Sequence, residues 1–369
     1  MSTQLADALG SPATTTQKYS RSEDFPPIIR AYARLSEVVR EAGLLRRSRR
    51  FYLATGAVIA ALFALAIIGF VLLGHSWFQL LIAAALGILF TQVAFLAHEA
   101  GHRQILSSGP ANDRLARILA AYVGMSYSWW DAKHTRHHAN PNRVRKDPDI
   151  EVDTISFLDE DATQARGFRR LITRKQGWFF FPLLTLEGFN LHFHSLRFLV
   201  GPGKVKSRWT ELSLILVRSA LLFVPIFALL PLGMAFAFAG VMLAVFGLYM
   251  GASFAPNHKG MPIIAPDSKL DFFSKQIRTS RNIRGGWWMT ALMGGLNYQI
   301  EHHLFPSMAR PHLAKTRAIV KEFCAQHDVP YTETSLLRSY AIVIGYLNTV
   351  GLAAPAPFEC PMVAQFRRG

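Results

Sequence analysis

Residues 51–74 contain no charged side chain, and after the short turn GHSWF residues 77–97 do the same. Each run is long enough for a helix to cross hydrocarbon, which takes roughly 20 apolar residues. Two further runs, 212–231 and 233–254, make a second tight hairpin. Pro225 lies inside the third run and is expected to kink it, which membrane helices tolerate. The expected architecture is therefore an all-α integral membrane protein, with four transmembrane helices in two hairpins.

Basic residues orient the hairpins. Arg46, Arg47, Arg49 and Arg50 precede the first run, and the next Lys or Arg is Arg103. Between Arg208 and Lys259 only Arg218 occurs, near enough to its helix start to snorkel. Both inter-helix turns thus lack positive charge. The expected topology is multi-pass in the cell membrane, with both termini, 103–208 and 259–369 cytoplasmic. The formal charge of +16 fits a nucleic-acid binder, an anionic membrane surface or an acidic substrate. The apolar runs favour the membrane, and no nucleic-acid recognition motif occurs. With two cysteines, Cys324 and Cys360, and no CxxC pair, neither a disulfide framework nor an iron–sulfur site is supported.

Residues 1–24 are rich in Ser, Thr and Gln and lack the basic start and apolar core of a signal peptide, so a disordered tail is expected. Residues 25–50 alternate apolar and basic positions at helical spacing, with Ile28, Ile29, Leu35, Val38 and Val39 on one side, and read as an amphipathic interfacial helix. The apolar pieces 115–130, 178–200 and 287–300 are too short or too polar to span. They are expected to be interfacial or partly inserted helices forming a cap. GPGKVKSR at 201–208 lacks the earlier glycine of a phosphate-cradling loop and reads as a basic turn near headgroups. Residues 309–345 look like an amphipathic helical segment under the cap, and 352–369 are a Pro-rich tail.

Histidines carry the chemical signal. His134, His137 and His138 (HTRHH) stand at i, i+3 and i+4, one face of a helix. His98 and His102 (HEAGH) sit where the second run leaves the membrane. His258 (FAPNHKG) follows the fourth run, and His302 and His303 (QIEHHLFP) come late with Gln299 ahead of them. The topology puts all eight at one level. A single ion takes three or four protein ligands, so eight imidazoles suit two. Spacing alone leaves Fe, Zn, Cu and Ni open. Glu99, Asp147, Asp149 and Glu301 are candidates to accept the other ring N–H of a ligand, and Gln299 is a weak ligand or another such partner. His192, His194, His312 and His327 read as structural or surface residues, and His75 lies in an outer turn.

HEAGH, HTRHH with NPNRVRKDPDI, and QIEHHLFP resemble the three histidine boxes of the membrane fatty acid desaturases. The resemblance runs from about residue 30 to 340, so 51–351 would be the desaturase domain. It implies a cytoplasmic cap holding two iron ions, with His98, His102, His134, His137, His138, His258, His302 and His303 as ligands. It also implies O2 as co-substrate and a long acyl chain, as CoA thioester or lipid, gaining a cis double bond. The glutamine opening the third box resembles the front-end branch, although some bacterial enzymes with such a box act on saturated chains. No HPGG of a fused cytochrome occurs. Electrons are then expected from a separate ferredoxin or flavin or iron–sulfur reductase. Trp129, Trp130, Trp178, Trp287 and Trp288 could wall an acyl tunnel or form an interfacial belt.

Three other readings compete. Membrane hydroxylases, ketolases and sphingolipid desaturases carry similar boxes. HEAGH also fits the HExxH of a zinc protease, with Glu99 as base. A non-catalytic scaffold would leave the histidines without work.

Overall fold

The computed structural model describes residues 27–354. The expected tail 1–24, residues 355–369 of the expected C-terminal tail, and Cys360 lie outside them. In chain order, α1 (Pro27–Glu41) leads into the hairpin α2 (Arg49–Leu73) and α3 (Gln79–Gly101). Then come α4 (Gly109–Tyr122), α5 (Tyr127–Ala139), α6 (Asp159–Thr163), α7 (Gly167–Arg174), α8 (Gln176–Leu184) and α9 (Glu187–Val200). The second hairpin is α10 (Arg208–Leu229) and α11 (Leu232–His258). The remainder is α12 (Phe272–Arg278), strand β1 (Asn282–Ile283), α13 (Trp287–Leu292), α14 (Gln299–Leu304), α15 (Arg310–Gln326), β2 (Glu333–Thr334) and α16 (Leu336–Gly351).

The four long apolar helices α2, α3, α10 and α11 form the membrane part, as expected. They are unequal. Of the apolar window in α3, 61% is buried by protein, against 17% in α2 and in α10. So α3 and α11 are the inner pair and α2 and α10 the lipid-facing pair. Gly87 makes this possible: a Cβ there would lie 2.7 Å from the Met242 carbonyl. Leu53, Val58, Leu221 and Val224 face outward, where hydrocarbon covers them. At the far turns, His75 Nε2 lies 3.1 Å from the Leu229 carbonyl and ties the two hairpins together.

The inner helices outrun the apolar runs seen in the sequence. Helix α3 continues to Gly101 and α11 to His258, so each carries histidine on its last turns. The piece 115–130 is not one helix. It breaks at Val123 and Gly124, with Gly124 at φ +88. Helix α4 doubles back along α3, bringing Tyr122 to ring-centroid distances of 5.4 Å from Phe63 and 5.9 Å from Phe90. Helix α5 then returns toward the histidines. Buried Glu211 on α10 pins this re-entrant pair. It accepts from Arg117 Nε (3.1 Å), Ser126 Oγ (2.6 Å) and Ser128 Oγ (2.6 Å).

The rest of the chain caps the histidine end. Leu35 and Val39 of α1 are fully buried against Phe273, Ile277 and Phe323. Leu35 and Val39, expected to lie on lipid, are thus buried in the cap, because α12 and α15 offer them a protein partner. Segment 309–345 is two helices rather than one. Asp328 at φ +52 and Pro330 stop the first, and β2 pairs in parallel with β1 before the second begins. This two-residue ladder is the only named sheet among the described residues. The tryptophans divide. Trp178, Trp287 and Trp288 are exposed, as an interfacial belt requires, and so is Trp209. Trp130 turns inward and stacks on His134 at 4.4 Å.

Candidate metal centre

Four pieces of chain bring the eight histidines together. The last turns of α3 supply His98 and His102, α5 supplies His134, His137 and His138, α11 ends at His258, and α14 carries His302 and His303. They fall into two groups. Nitrogens of His98, His102, His134, His138 and His302 all lie within 4.8 Å of one another, and so do those of His137, His258 and His303.

In the first group, His134 Nε2 lies 3.0 Å from His98 Nε2, 2.8 Å from His102 Nε2 and 3.0 Å from His138 Nε2. One proton can bridge only one such pair, so the other lone pairs face each other. His302 Nε2 is buried with no hydrogen-bond partner. A bare acceptor in a dry site is costly unless a cation fills it. In the second group, Nε2 of His258 is 3.3 Å from that of His137 and 3.1 Å from that of His303. The donor chemistry of both groups fits a metal ion of the kind imidazole binds.

The outer ring nitrogens fix the tautomers. His258 Nδ1 donates to the Thr279 carbonyl at 2.9 Å. His137 Nδ1 donates to Asp147 Oδ1 at 3.0 Å, with Asp149 Oδ2 at 3.4 Å. His303 Nδ1 donates to Gln276 Oε1 at 2.8 Å. The Gln276 amide has one possible orientation, because its nitrogen donates to the His138 carbonyl at 2.8 Å. With Nδ1–H engaged outward, Nε2 presents its lone pair inward. Gln299 packs against the second group: its amide lies 2.9 Å from His258 Nε2, and its other end accepts from Asn257 Nδ2 at 3.1 Å.

Electrostatics keep most rings in the ligand form. Burial, followed by neighbouring rings, pushes His134, His138, His302 and His303 well below the usual histidine range. Burial and His137 push His102 down to about 3. His137 goes the other way: burial opposes its charge, but Asp149 and Asp147 outweigh burial and raise it. Its surroundings favour positive charge, which a bound cation would also supply. For Asp147, burial works against ionisation, yet the His137 ring beside it and its hydrogen bonds carry it down to about 2.

Of the four acidic residues singled out from sequence, Asp147 and Asp149 meet a ring. Glu99 and Glu301 do not hydrogen-bond a ring among the described residues. The reason is helical geometry: a residue next to a ligand points about 100° away from it. Glu99 is instead gripped by Arg310, with Nε and Nη2 at 2.7 and 2.5 Å, and by Tyr52 at 3.3 Å. That leaves no free carboxylate for the general base of a zinc protease. Glu301 accepts from Asn282 Nδ2 and the Tyr331 hydroxyl, both at 2.7 Å, and burial pushes it up to about 7.

Several supporting residues carried no sequence signal. Gln276, Thr279 and Arg310 are reached only through the fold. Asn142 lay inside the NPN that follows the second box. At φ +53 it takes Asp147 Oδ2 on its backbone N–H (2.7 Å) and donates its amide to the His258 carbonyl (3.0 Å). The remaining histidines are elsewhere. His192 Nδ1 donates to the Gly188 carbonyl, His194 stacks on Trp129, His312 meets Ser48 Oγ and His327 stacks on Phe323.

Residues 75–335 match the model of the family described as fatty acid desaturase. The chain is similar to a Delta(8)-fatty-acid desaturase of Helianthus annuus, 27% identical over 354 residues, covering 89% of this chain and 76% of that one. An acyl-lipid (9-3)-desaturase of Borago officinalis is 27% identical over 353 residues, covering 92% and 79%. A Delta(6)-fatty-acid desaturase of Caenorhabditis elegans is 26% identical over 339 residues, covering 88% and 75%. Two rings of lone pairs at the end of an apolar four-helix stem, with a family match spanning both, lead to one conclusion: the chain belongs to the fatty acid desaturase family.

Proposed function

We propose that this membrane desaturase holds two iron ions, one among His98, His102, His134, His138 and His302, the other among His137, His258, His303 and Gln299. Iron bound there supplies O2 activation for removing two hydrogens from a long acyl chain, leaving a cis double bond. The observation that carries the reading is the convergence of ring nitrogens in both groups, with Nδ1 of His137, His258 and His303 already engaged outward. Gln299 completes the smaller group, which has three imidazoles against five.

The protein's part is placement and exclusion of water. Trp130 and Phe254 flank His98 at ring-centroid distances of 5.6 and 6.0 Å, an apolar wall on the membrane side of the centre. An alkyl chain has no group to grip, so such walls must hold one C–H by shape. The substrate is a CoA thioester or a lipid. The relatives' printed names, Delta(8), Delta(6) and acyl-lipid (9-3), favour insertion on the carboxyl side of the chain. The arginines before α2 favour a cytoplasmic position for both termini and the cap, on our reading of the chain as multi-pass in the cell membrane. Electrons come from a separate carrier such as a ferredoxin or a flavin or iron–sulfur reductase.

Expression in a host of known lipid composition, followed by mass-spectrometric location of double bonds, tests this. A new double bond, two irons per purified chain, and loss of both in His138→Ala are expected. A retained oxygen instead of a double bond would make the enzyme a hydroxylase, and absence of bound iron would overturn the metal assignment.

A further inference from the structure

We propose that the surface made by residues 140–147 and helix α12 is the docking site of an acidic one-electron carrier protein. The inference rests on the desaturase reading above and names where its reducing partner binds. Removing two hydrogens from an acyl CH2–CH2 unit forms one C=C bond and yields two electrons and two protons. Breaking O2 to two waters consumes four of each. Two electrons must therefore come from the carrier, one at a time, and two protons from water.

The geometry marks the entry point. His138 and His303 belong to different ring groups, yet stack at 4.2 Å and 12°. Gln276 holds both, donating to the His138 carbonyl and accepting from His303 Nδ1. Its chain neighbour on α12 is Lys275, whose Nζ reaches the Ala139 carbonyl at 2.6 Å. One residue of protein thus separates this outer face from the junction of the two groups.

That face is basic. Arg145 and Lys146 are exposed on the loop after α5, Arg278 on α12 and Lys269 before it, with Arg143 and Lys275 half-buried among them. Burial, Arg143 and Lys146 lower Lys275 from the usual lysine value, so these cations feel one another. Asp147, next to Lys146, is buried against His137, and Asp149 and Glu151 already face Lys133 and Arg136. Asp271 caps α12, and the exposed Asp267 lies between Pro266 and Ser268, whose carbonyls Arg143 holds.

The loop is also held in shape. Arg145 sits at φ +62 and Asn142 at φ +53, Val144 N–H bonds the Ile264 carbonyl, and Arg143 Nη2 reaches the Pro266 and Ser268 carbonyls at 2.7 and 2.9 Å. Left-handed backbone at residues other than glycine persists only where the surroundings impose it. Charge complementarity of this kind speeds encounter and orients the partner.

The test uses the full chain with two reductants, an acidic [2Fe–2S] ferredoxin and reduced methyl viologen. Arg145→Glu with Lys146→Glu should cut ferredoxin-driven double-bond formation ~10-fold at low salt and leave viologen-driven turnover unchanged. Arg114→Glu, an exposed arginine on α4, should leave both rates unchanged. Wild-type ferredoxin-driven turnover should fall with added salt. Equal ferredoxin rates in variant and wild type, an equal loss with both reductants, or the same ferredoxin loss in Arg114→Glu would each overturn the docking surface. No double bond from the wild type with either reductant would sink the desaturase reading itself.

Discussion

The imidazoles of His138 and His303 lie face to face, 4.2 Å between centroids and 12° from parallel, and each belongs to a different cluster of nitrogens. Gln276 is the one described side chain hydrogen-bonded to both residues. Its loss should disturb both clusters at once.

Gln276→Ala removes the acceptor that holds His303 Nδ1–H. A partner of this type is worth ~10- to 100-fold in metal affinity. Iron titration of the purified variant should show that weakening. Gln276→Glu keeps an acceptor for His303 but loses the donor to the His138 carbonyl, and should recover part of the affinity. Unchanged iron binding in Gln276→Ala would show that the ring needs no such partner.

Glu99 and Arg310 are a buried pair, 2% and 4% exposed. Removing either alone strands a charge in a dry site, at a cost of ~3–5 kcal/mol. Arg310→Met should lower the unfolding temperature in detergent more than the double variant Glu99→Gln, Arg310→Met does. Additive losses in the double-mutant cycle would mean the pair does not act as a unit.

Acid should destabilise the metal-free protein well before Asp147 titrates. His102 is held down at about 3, and His134, His138, His302 and His303 are lowered as well. As pH falls through ~6.5 the unfolded chain takes up protons that these native rings refuse, so stability drops with pH. His102 alone contributes a loss of ~1.4 kcal/mol by one unit below that value. His137 and Glu301, both raised, act in the opposite direction, two groups against five rings. The Asp147 contribution is lost only as pH falls from its ordinary 3.8 toward about 2. Thermal unfolding from pH 7.5 to 5 should show a falling midpoint, and a level one would contradict this account.

Gly188→Ala tests the packing of α9 on α11. A Cβ at Gly188 would sit 2.2 Å from the Leu243 carbonyl, and the obstacle is backbone. Overpacking of this kind costs ~1–3 kcal/mol. Gly233→Ala, with nothing within 4 Å, is the matched control and should be neutral. Equal thermal stability of the two variants would mean that α9 can shift off α11 at no cost.

The membrane stem was legible because hydrocarbon imposes a length and forbids charge, and both are written in consecutive residues. The rings were legible because three of their four sources are local patterns, HEAGH, HTRHH and EHH, and the fourth, His258, follows a span. What holds those rings was legible only in part, through Asp147, Asp149 and Gln299. Thr279 acts through its carbonyl, Gln276 lies 138 residues from His138, and Arg310 lies 211 from Glu99. Such contacts leave no periodicity. Glu99 and Glu301 misled because nearness along a helix is not nearness in space. The division of 115–130 into α4 and α5 was hidden for a related reason. A helix packed against α3 and α10 need not be apolar all round, so the apolar pattern did not mark where one helix ends and the next begins.

The division of the rings among α3, α5, α11 and α14 also sets a schedule for biosynthesis. The larger cluster waits for His302 and the smaller for His303. Both hairpins are inserted long before either cluster is complete. Neither cluster can hold its ion with a full set of rings until residues 302 and 303 have been made, and a transcript truncated before the third box yields an inserted stem with both clusters incomplete.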